Sequence, residues 1–205
     1  HFSSCRNEVL AEGLMEIRGS RIGLVGFGNI ARQVAKIALF LGASVSYCAT
    51  RRQPSEVESQ FPVAFKPLDE LLATSDVVSL HVPHSNRTRG MLGARELALM
   101  PPGSLLVNTA RGEIVDQEAL AAALESGHLA GAAIDTFAPE PPQPGNPLLN
   151  LSAAANRRLL ATPHTAGVTI GSYRRMLESA FANMARVLRG EMPQNVVNGV
   201  FVRKA

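Results

Sequence analysis

The sequence predicts an α/β fold, a doubly wound parallel sheet with helices on both faces, and three observations lead there. Short apolar runs rich in β-branched residues alternate along the chain with segments of helical periodicity, the pattern of strands joined by helical crossovers. The first of those runs ends in a glycine-rich turn that opens directly into a helical segment. With 205 residues, 46% of them apolar, the chain is long enough for one well-cored domain and short for two.

Taken in order, Cys5–Glu16 reads as an amphipathic helix ahead of the first strand. Arg21–Val25 is a compact apolar run, and the helical pattern Ile30–Leu41 follows it after a turn of four residues. Ser44–Cys48, Val77–His81, Ser104–Asn108, Gly131–Asp135 and Leu159–Ala161 supply the further strands. Between them lie helical patterns at Leu68–Ala73, Ala94–Met100 and Gln117–Glu125. Asp116 is placed to cap the last of these, and Gly127 sits just past its end. The proline-rich stretch Pro139–Pro147 reads as a loop. A long final helix is expected over Ile170–Arg189, where Met176, Leu177, Ala180, Met184, Val187 and Leu188 recur near helical spacing as a packing face.

The turn Gly26-Phe27-Gly28-Asn29-Ile30-Ala31 is a G-x-G-x-x-A fingerprint set between a strand and a helix. In a Rossmann-type arrangement Gly26 allows the tight turn, Gly28 lets the backbone approach a pyrophosphate, and Ala31 lets the helix pack close to its strand. The positive end of that helix then faces the phosphates. The plainer alternative is an ordinary strand-to-helix turn, since glycine serves wherever φ must be positive.

Composition narrows the partners. Twenty basic and seventeen acidic residues leave a net charge of +3 with both signs interspersed, which argues against a nucleic-acid-binding surface. No apolar run reaches the roughly eighteen residues of a membrane span, and the opening HFSSCRNEV has no signal-peptide core. Only Cys5 and Cys48 are present, no disulfide framework, so a cytoplasmic setting is expected. His1 in place of Met suggests that the numbered chain starts inside a longer polypeptide.

In an open parallel sheet, ligands bind beyond the carboxyl ends of the strands. Three such ends carry Thr109-Ala110-Arg111-Gly112, Thr136-Phe137-Ala138-Pro139-Glu140 and Pro163-His164-Thr165-Ala166-Gly167. An arginine, a carboxylate and a histidine thus converge on the edge that holds the glycine turn. A guanidinium can grip a substrate carboxylate with a bidentate fork, a histidine can exchange a proton near neutral pH, and a carboxylate beside it favours the imidazolium. Singly, Arg111 could pair with a surface acid, Glu140 could be a solvated loop charge, and His164 could be a packed loop histidine. His81 and His84 stand at a spacing that could suggest a metal, but no third ligand of suitable type lies nearby and Pro83 fits a cofactor-lining loop; no metal is expected.

The segments GFGNIA, LHVPHSNRTRGML, LLVNTARGEIVD, AAIDTFAPEPP and TPHTAG together resemble the D-isomer-specific 2-hydroxyacid dehydrogenases, from about residue 5 to residue 200. The resemblance implies a nucleotide domain that reduces a 2-oxo acid with a nicotinamide cofactor. It makes Arg111 the anchor of the substrate carboxylate, His164 the acid/base, Glu140 its partner, and Asp135 the residue near the nicotinamide carboxamide. Val82, Pro83, Thr109 and Ala110 become the wall of the cofactor cleft, with Asn29, Ile30, Thr88 and Gly167 also on its cofactor-binding positions. Formate dehydrogenases look similar in fold but usually carry Gln where this chain has Glu140. Corepressor-like interaction modules and inactive nucleotide-binding scaffolds of the same family remain alternatives.

Two departures from the family pattern stand out. About a hundred residues of a substrate domain normally precede the nucleotide domain. Residues 1–20 are therefore expected to be a leading helix and linker from such a lobe, 21–191 the dinucleotide-binding domain, and 192–205 a tail returning to the lobe. After the second strand, Ala49-Thr50-Arg51-Arg52 replaces the usual acidic residue, which would bond the ribose 2′-hydroxyl and repel a 2′-phosphate. NADP is therefore favoured over NAD, with Thr50, Arg51 and Arg52 around the phosphate; the alternative is two solvated arginines on an NAD enzyme. The implied partners are a small 2-oxo or 2-hydroxy acid and a second copy of the chain, a homodimer through the nucleotide domain with Cys5–Glu16 among the candidate contacts.

Overall fold

Seven strands, β1 (Arg21–Val25), β2 (Ser44–Cys48), β3 (Val63–Phe65), β4 (Val77–Leu80), β5 (Ser104–Asn108), β6 (Leu129–Ile134) and β7 (Leu159–Ala161), pair in parallel in the order β3-β2-β1-β4-β5-β6-β7. They are seen in a computed structural model that describes residues 15–197 and residue 199. The order turns back at β1, which pairs with β2 on one side (Arg21 opposite Ser44) and β4 on the other (Ile22 opposite Val77). Parallel neighbours need crossovers. These contain α1 (Asn29–Phe40), α2 (Ser55–Glu58), α3 (Leu68–Ala73), α4 (Ala94–Leu99), α5 (Gln117–Glu125) and α6 (Ala153–Asn156). All of this lies in the first of two compact units, which ends at His164.

The buried face of α1 is made only of small residues, Ala31, Ala35 and Ala38. That stripe lets the helix lie close over β1 and β2, in a core with Leu24, Phe27, Val45 and Tyr47. A larger core contains Leu80, Leu92, Leu97, Leu106, Leu120 and Leu124. Truncating one of these leucines to Ala is worth about 2–5 kcal/mol, because the cavity closes only in part. Asp116 caps α5 as expected, its side chain accepting from the N–H groups of Glu118 and Ala119, and Gly127 follows at φ +72°.

Some elements differ from the sequence expectation. β6 begins two residues earlier than predicted and ends at Ile134, so Asp135 stands beyond the strand rather than closing it; its small residues gave the sequence pattern little to register on. β4 likewise stops at Leu80, and α1 starts at Asn29. Neither α2 nor β3 was expected, since both are short and set among Pro54, Pro62 and Pro67, too brief for a period to show. α6 is a single turn capped by the Ser152 hydroxyl, itself held by the Glu125 carboxylate. The predicted helix over Cys5–Glu16 falls, through residue 14, outside the described residues.

The second unit begins at Thr165. Its helix α7 (Ile170–Leu188) opens on reciprocal bonds between Thr169 and Ser172, and its Asn183 and Arg186 side chains bond the backbone of Gln194 and Met192. α7 contains no buried residue, so the face predicted for packing is exposed among the described residues. No described helix is long and apolar enough to cross a membrane.

Candidate active site

The β1–α1 turn fits a pyrophosphate for reasons visible at each glycine. Gly26 sits at φ +97°, and a Cβ there would come within 2.9 Å of the His81 carbonyl, so a side chain would collide with the backbone just past β4. Gly28 has nothing within 4 Å of a built Cβ, leaving its backbone open to approach. It caps α1 without a side-chain bond, and the first turn holds no acidic residue. The first intrahelical bond runs from Arg32 N–H to Gly28 C=O, so the N–H groups of Asn29 and Ile30 point out of the helix toward an anion.

Beyond β2, Thr50, Arg51 and Arg52 are exposed. Among the described residues Arg51 has no ion pair, whereas the Arg52 guanidinium lies 2.9 Å from a carboxylate oxygen of Glu58 on α2. The bonds from Arg52, and then from the Tyr47 hydroxyl, hold the Glu58 carboxyl below its ordinary range. Glu58 is a member of this site that the sequence did not disclose, because nothing marked α2 as an element.

After β4, Val82 and Pro83 line a cavity of about 460 Å³ together with Ile30, His81, Thr109 and Arg111. Thr88 shapes this loop: its hydroxyl donates to the Pro83 carbonyl at 2.7 Å and accepts from Ser85 N–H at 2.8 Å. His81 bonds Ser79 through Nε2, and burial pushes its imidazole below the ordinary histidine value. Among the described residues no group of three or more His, Cys, Asp or Glu side chains could hold a metal ion.

At the ends of β5, β6 and β7 the backbone itself links the candidate residues. Asp135 N–H donates to Asn108 C=O at 3.0 Å, and His164 N–H donates to Asp135 C=O at 2.8 Å. Buried Asn108 closes the loop above it, accepting from Ala110 N–H and donating to Arg111 C=O. Arg111 is exposed and folds back onto the Ala110 carbonyl, with no acidic partner among the described residues. Asp135 is 4% exposed and accepts from the Thr162 hydroxyl.

His164 stands at φ +54°, and its Nδ1 lies 2.8 Å from Glu140 Oε2. An ionised carboxylate only accepts, so Nδ1 carries the proton and Nε2 is left for exchange with a ligand. The loop bearing Glu140 is fixed by Gln117, which donates to Ala138 C=O at 2.6 Å and accepts from Asn146 at 3.0 Å. On this side a second cavity of about 600 Å³ is lined by Phe137, Glu140, Pro141, Leu149, Pro163 and His164. Arg111 thus faces one cavity, and the His164–Glu140 pair faces another on the same sheet edge. Gly167 belongs to the second unit, where its carbonyl accepts from the Ser172 hydroxyl. Asn108, Gln117 and Thr162 went unnoticed in the sequence; only Asn108, a polar residue ending an apolar run, left a trace there.

Residues 6–166 match the family model described as D-isomer specific 2-hydroxyacid dehydrogenase, NAD binding domain. The chain is 39% identical over 188 residues to a glyoxylate reductase of Thermococcus gammatolerans, an alignment spanning 92% of this chain and 54% of that protein. It is 43% identical over 164 residues to a D-3-phosphoglycerate dehydrogenase of Escherichia coli, spanning 78% of this chain and 38% of the other. The apo structure of Rhodotorula graminis D-mandelate dehydrogenase superposes with a TM-score of 0.88 at 30% identity, covering 100% of this chain and 58% of that one. The chain therefore spans about half the length of the curated glyoxylate reductases it matches.

Proposed function

Because this chain belongs to the D-isomer-specific 2-hydroxyacid dehydrogenase family, we propose that it forms the nucleotide-binding part of an enzyme reducing a small 2-oxo acid to a D-2-hydroxy acid. The relatives named for glyoxylate, 3-phosphoglycerate and D-mandelate support that substrate class. A nicotinamide dinucleotide, when bound, supplies the hydride. The residues present fit it: an open Gly28, a Gly26 that tolerates no side chain, and uncovered N–H groups at the start of α1.

The chain's own residues then have distinct tasks. The N–H groups of Asn29 and Ile30 hold the pyrophosphate, and Val82, Pro83, Thr109 and Ala110 wall the nicotinamide side of the cleft, with Asp135 toward the carboxamide. Arg111, with no acidic partner among the described residues, swings from the Ala110 carbonyl to clamp the substrate carboxylate. Protonated His164 gives the proton at Nε2 to the oxygen that becomes the hydroxyl, while Glu140 holds Nδ1 and steadies the imidazolium. The observation that carries this reading is the 2.8 Å contact between His164 and Glu140 at the edge shared with the glycine turn.

At the ribose end, Ala49 and Thr50 directly after β2 bring no acid to repel a 2′-phosphate, and Arg51 has no ion pair among the described residues and is placed to receive one. This supports NADPH over NADH. The family resemblance also supports a homodimer, checked by sedimentation, and the two cysteines a cytoplasmic setting, checked by cell fractionation.

The test is turnover of glyoxylate or hydroxypyruvate by the product of the complete reading frame, with each cofactor titrated separately. His164→Ala is expected to lower kcat by about a hundredfold or more, as loss of a general acid does, with cofactor affinity retained. A variant turning over within a few-fold of the parent would overturn the assignment.

A further inference from the structure

We infer that Glu58 is a selectivity-setting residue: its carboxylate neutralises Arg52 at the ribose end of the cleft and so restrains affinity for a 2′-phosphorylated dinucleotide. The inference rests on the nucleotide site proposed above, and goes beyond it by placing a carboxylate near the ribose that the strand-end sequence Ala49-Thr50 does not supply.

Glu58 is not a chance surface charge. Arg52 Nε lies 3.0 and 3.1 Å from its two oxygens, and Nη2 reaches Oε2 at 2.9 Å. Oε1 also accepts from the hydroxyl of Tyr47, a buried β2 residue stacked on Phe27 of the glycine turn at 4.3 Å between ring centres. The same hydroxyl accepts from Gln53 N–H at 2.9 Å; the Gln53 side chain accepts from Arg32 at 2.7 Å, and Arg32 Nε donates to the Phe27 carbonyl at 3.3 Å. Glu58 is thus tied through named contacts to the turn that would hold the pyrophosphate. Its side chain is 17% exposed, while that of Arg52 is 67% exposed, so Arg52 presents itself to the ligand with its charge already matched from behind.

The charge count at this edge follows. Arg51 and Arg52 bring two positive charges and Glu58 removes one. Glu58→Gln keeps one acceptor oxygen for Tyr47 and Arg52 Nε in nearly the same shape, sets an amide NH2 where Nη2 met Oε2, and restores the second charge. A 2′-phosphate feels that change, and a 2′-hydroxyl does not. One added charge at about 4–7 Å through water corresponds to roughly a three- to fivefold gain in affinity at low salt, fading as ionic strength rises.

The experiment titrates NADPH and NADH by fluorescence against the product of the complete reading frame and its Glu58→Gln, Arg52→Gln, Glu58→Gln/Arg52→Gln and Arg51→Gln variants, with thermal melts to confirm folding. Glu58→Gln is expected to raise the ratio of NADPH to NADH affinity three- to fivefold, less at high salt, and the gain should vanish when Arg52 is also replaced. A purely structural role would weaken both cofactors alike. An unchanged ratio, or a gain that persists without Arg52, overturns the inference. Arg51→Gln reports on the underlying reading separately: if it leaves NADPH affinity untouched, no phosphate sits at this edge, whatever Glu58 does.

Discussion

Gly112→Ala should damage both the stability and the geometry of the candidate site. Gly112 follows Arg111 and is buried against the loop that leads to Glu140. A Cβ there would sit 2.1 Å from the Phe137 carbonyl carbon, 2.2 Å from its oxygen and 2.6 Å from Ala138 N. Nonbonded carbons rest at about 3.5 Å or more, so the two segments must part by about 1.4 Å. The obstacle is backbone on both sides, which no rotamer change relieves. The top of the overpacking range, about 3 kcal/mol, is therefore the expected loss. At about 2–4 °C per kcal/mol for a chain of this size, Tm falls by about 6–12 °C. The same parting moves Arg111 relative to Glu140, and a misplacement of about 1 Å can lower turnover a hundredfold. Circular dichroism melts under reversible conditions measure the first effect, and kcat/KM of the product of the complete reading frame measures the second. A variant melting within about 2 °C of the parent would show that this close approach does not fix the two loops.

Arg111→Gln should lower kcat/KM for the 2-oxo acid by about a hundredfold, the worth of two charge-assisted bonds, with Lys a poor rescue because a point charge replaces a fork; an effect on cofactor affinity alone would point to a different role. Glu140→Gln removes the carboxylate that accepts from His164 Nδ1 and leaves an amide that can present a donor to it instead, so kcat should fall at least about tenfold with cofactor affinity retained. Turnover equal to the parent's would break the pairing with His164. Burial holds His81 below its ordinary value of 6.5. Below that pH the unfolded chain takes up a proton that the folded chain refuses, so His81's contribution is fully present above 6.5 and is lost as pH falls through the folded value. Urea titrations at pH 7.5, 6 and 5.5 should show this acid-side slope shrinking in His81→Gln, and an unchanged slope would assign it to other groups.

The sheet and the glycine turn were legible in the sequence because strands β1, β2, β4 and β5 are apolar runs with clear ends, and because Asp116 and Gly127 mark a helix at both ends. The shift of β6 was hidden in Leu-Ala-Gly-Ala-Ala-Ile, where small residues suit either register. Arg111, Glu140 and His164 could be picked out as strand-end residues, but their division between two cavities depends on loop paths that no periodicity records. The partners that hold the site, Gln117 across 21 residues to Ala138 and Tyr47 across 11 to Glu58, are long-range contacts of ordinary polar side chains. Such contacts leave no local signature, and this is why the sequence paired Arg52 with a phosphate and overlooked the carboxylate behind it.

The left-handed backbone at His164 has a bearing on how this protein could be improved. Side chains with a Cβ pay roughly 1–2 kcal/mol in that region, and Gly or Asn occupies it with less strain. The exposed bond to Glu140 returns little of that, since solvent-accessible pairs contribute about 0–1 kcal/mol. Position 164 is therefore a place where heat resistance and turnover pull in opposite directions. A directed-evolution campaign selecting only for survival at high temperature is expected to enrich Asn or Gly there and to deliver a sturdier protein with its proton donor gone.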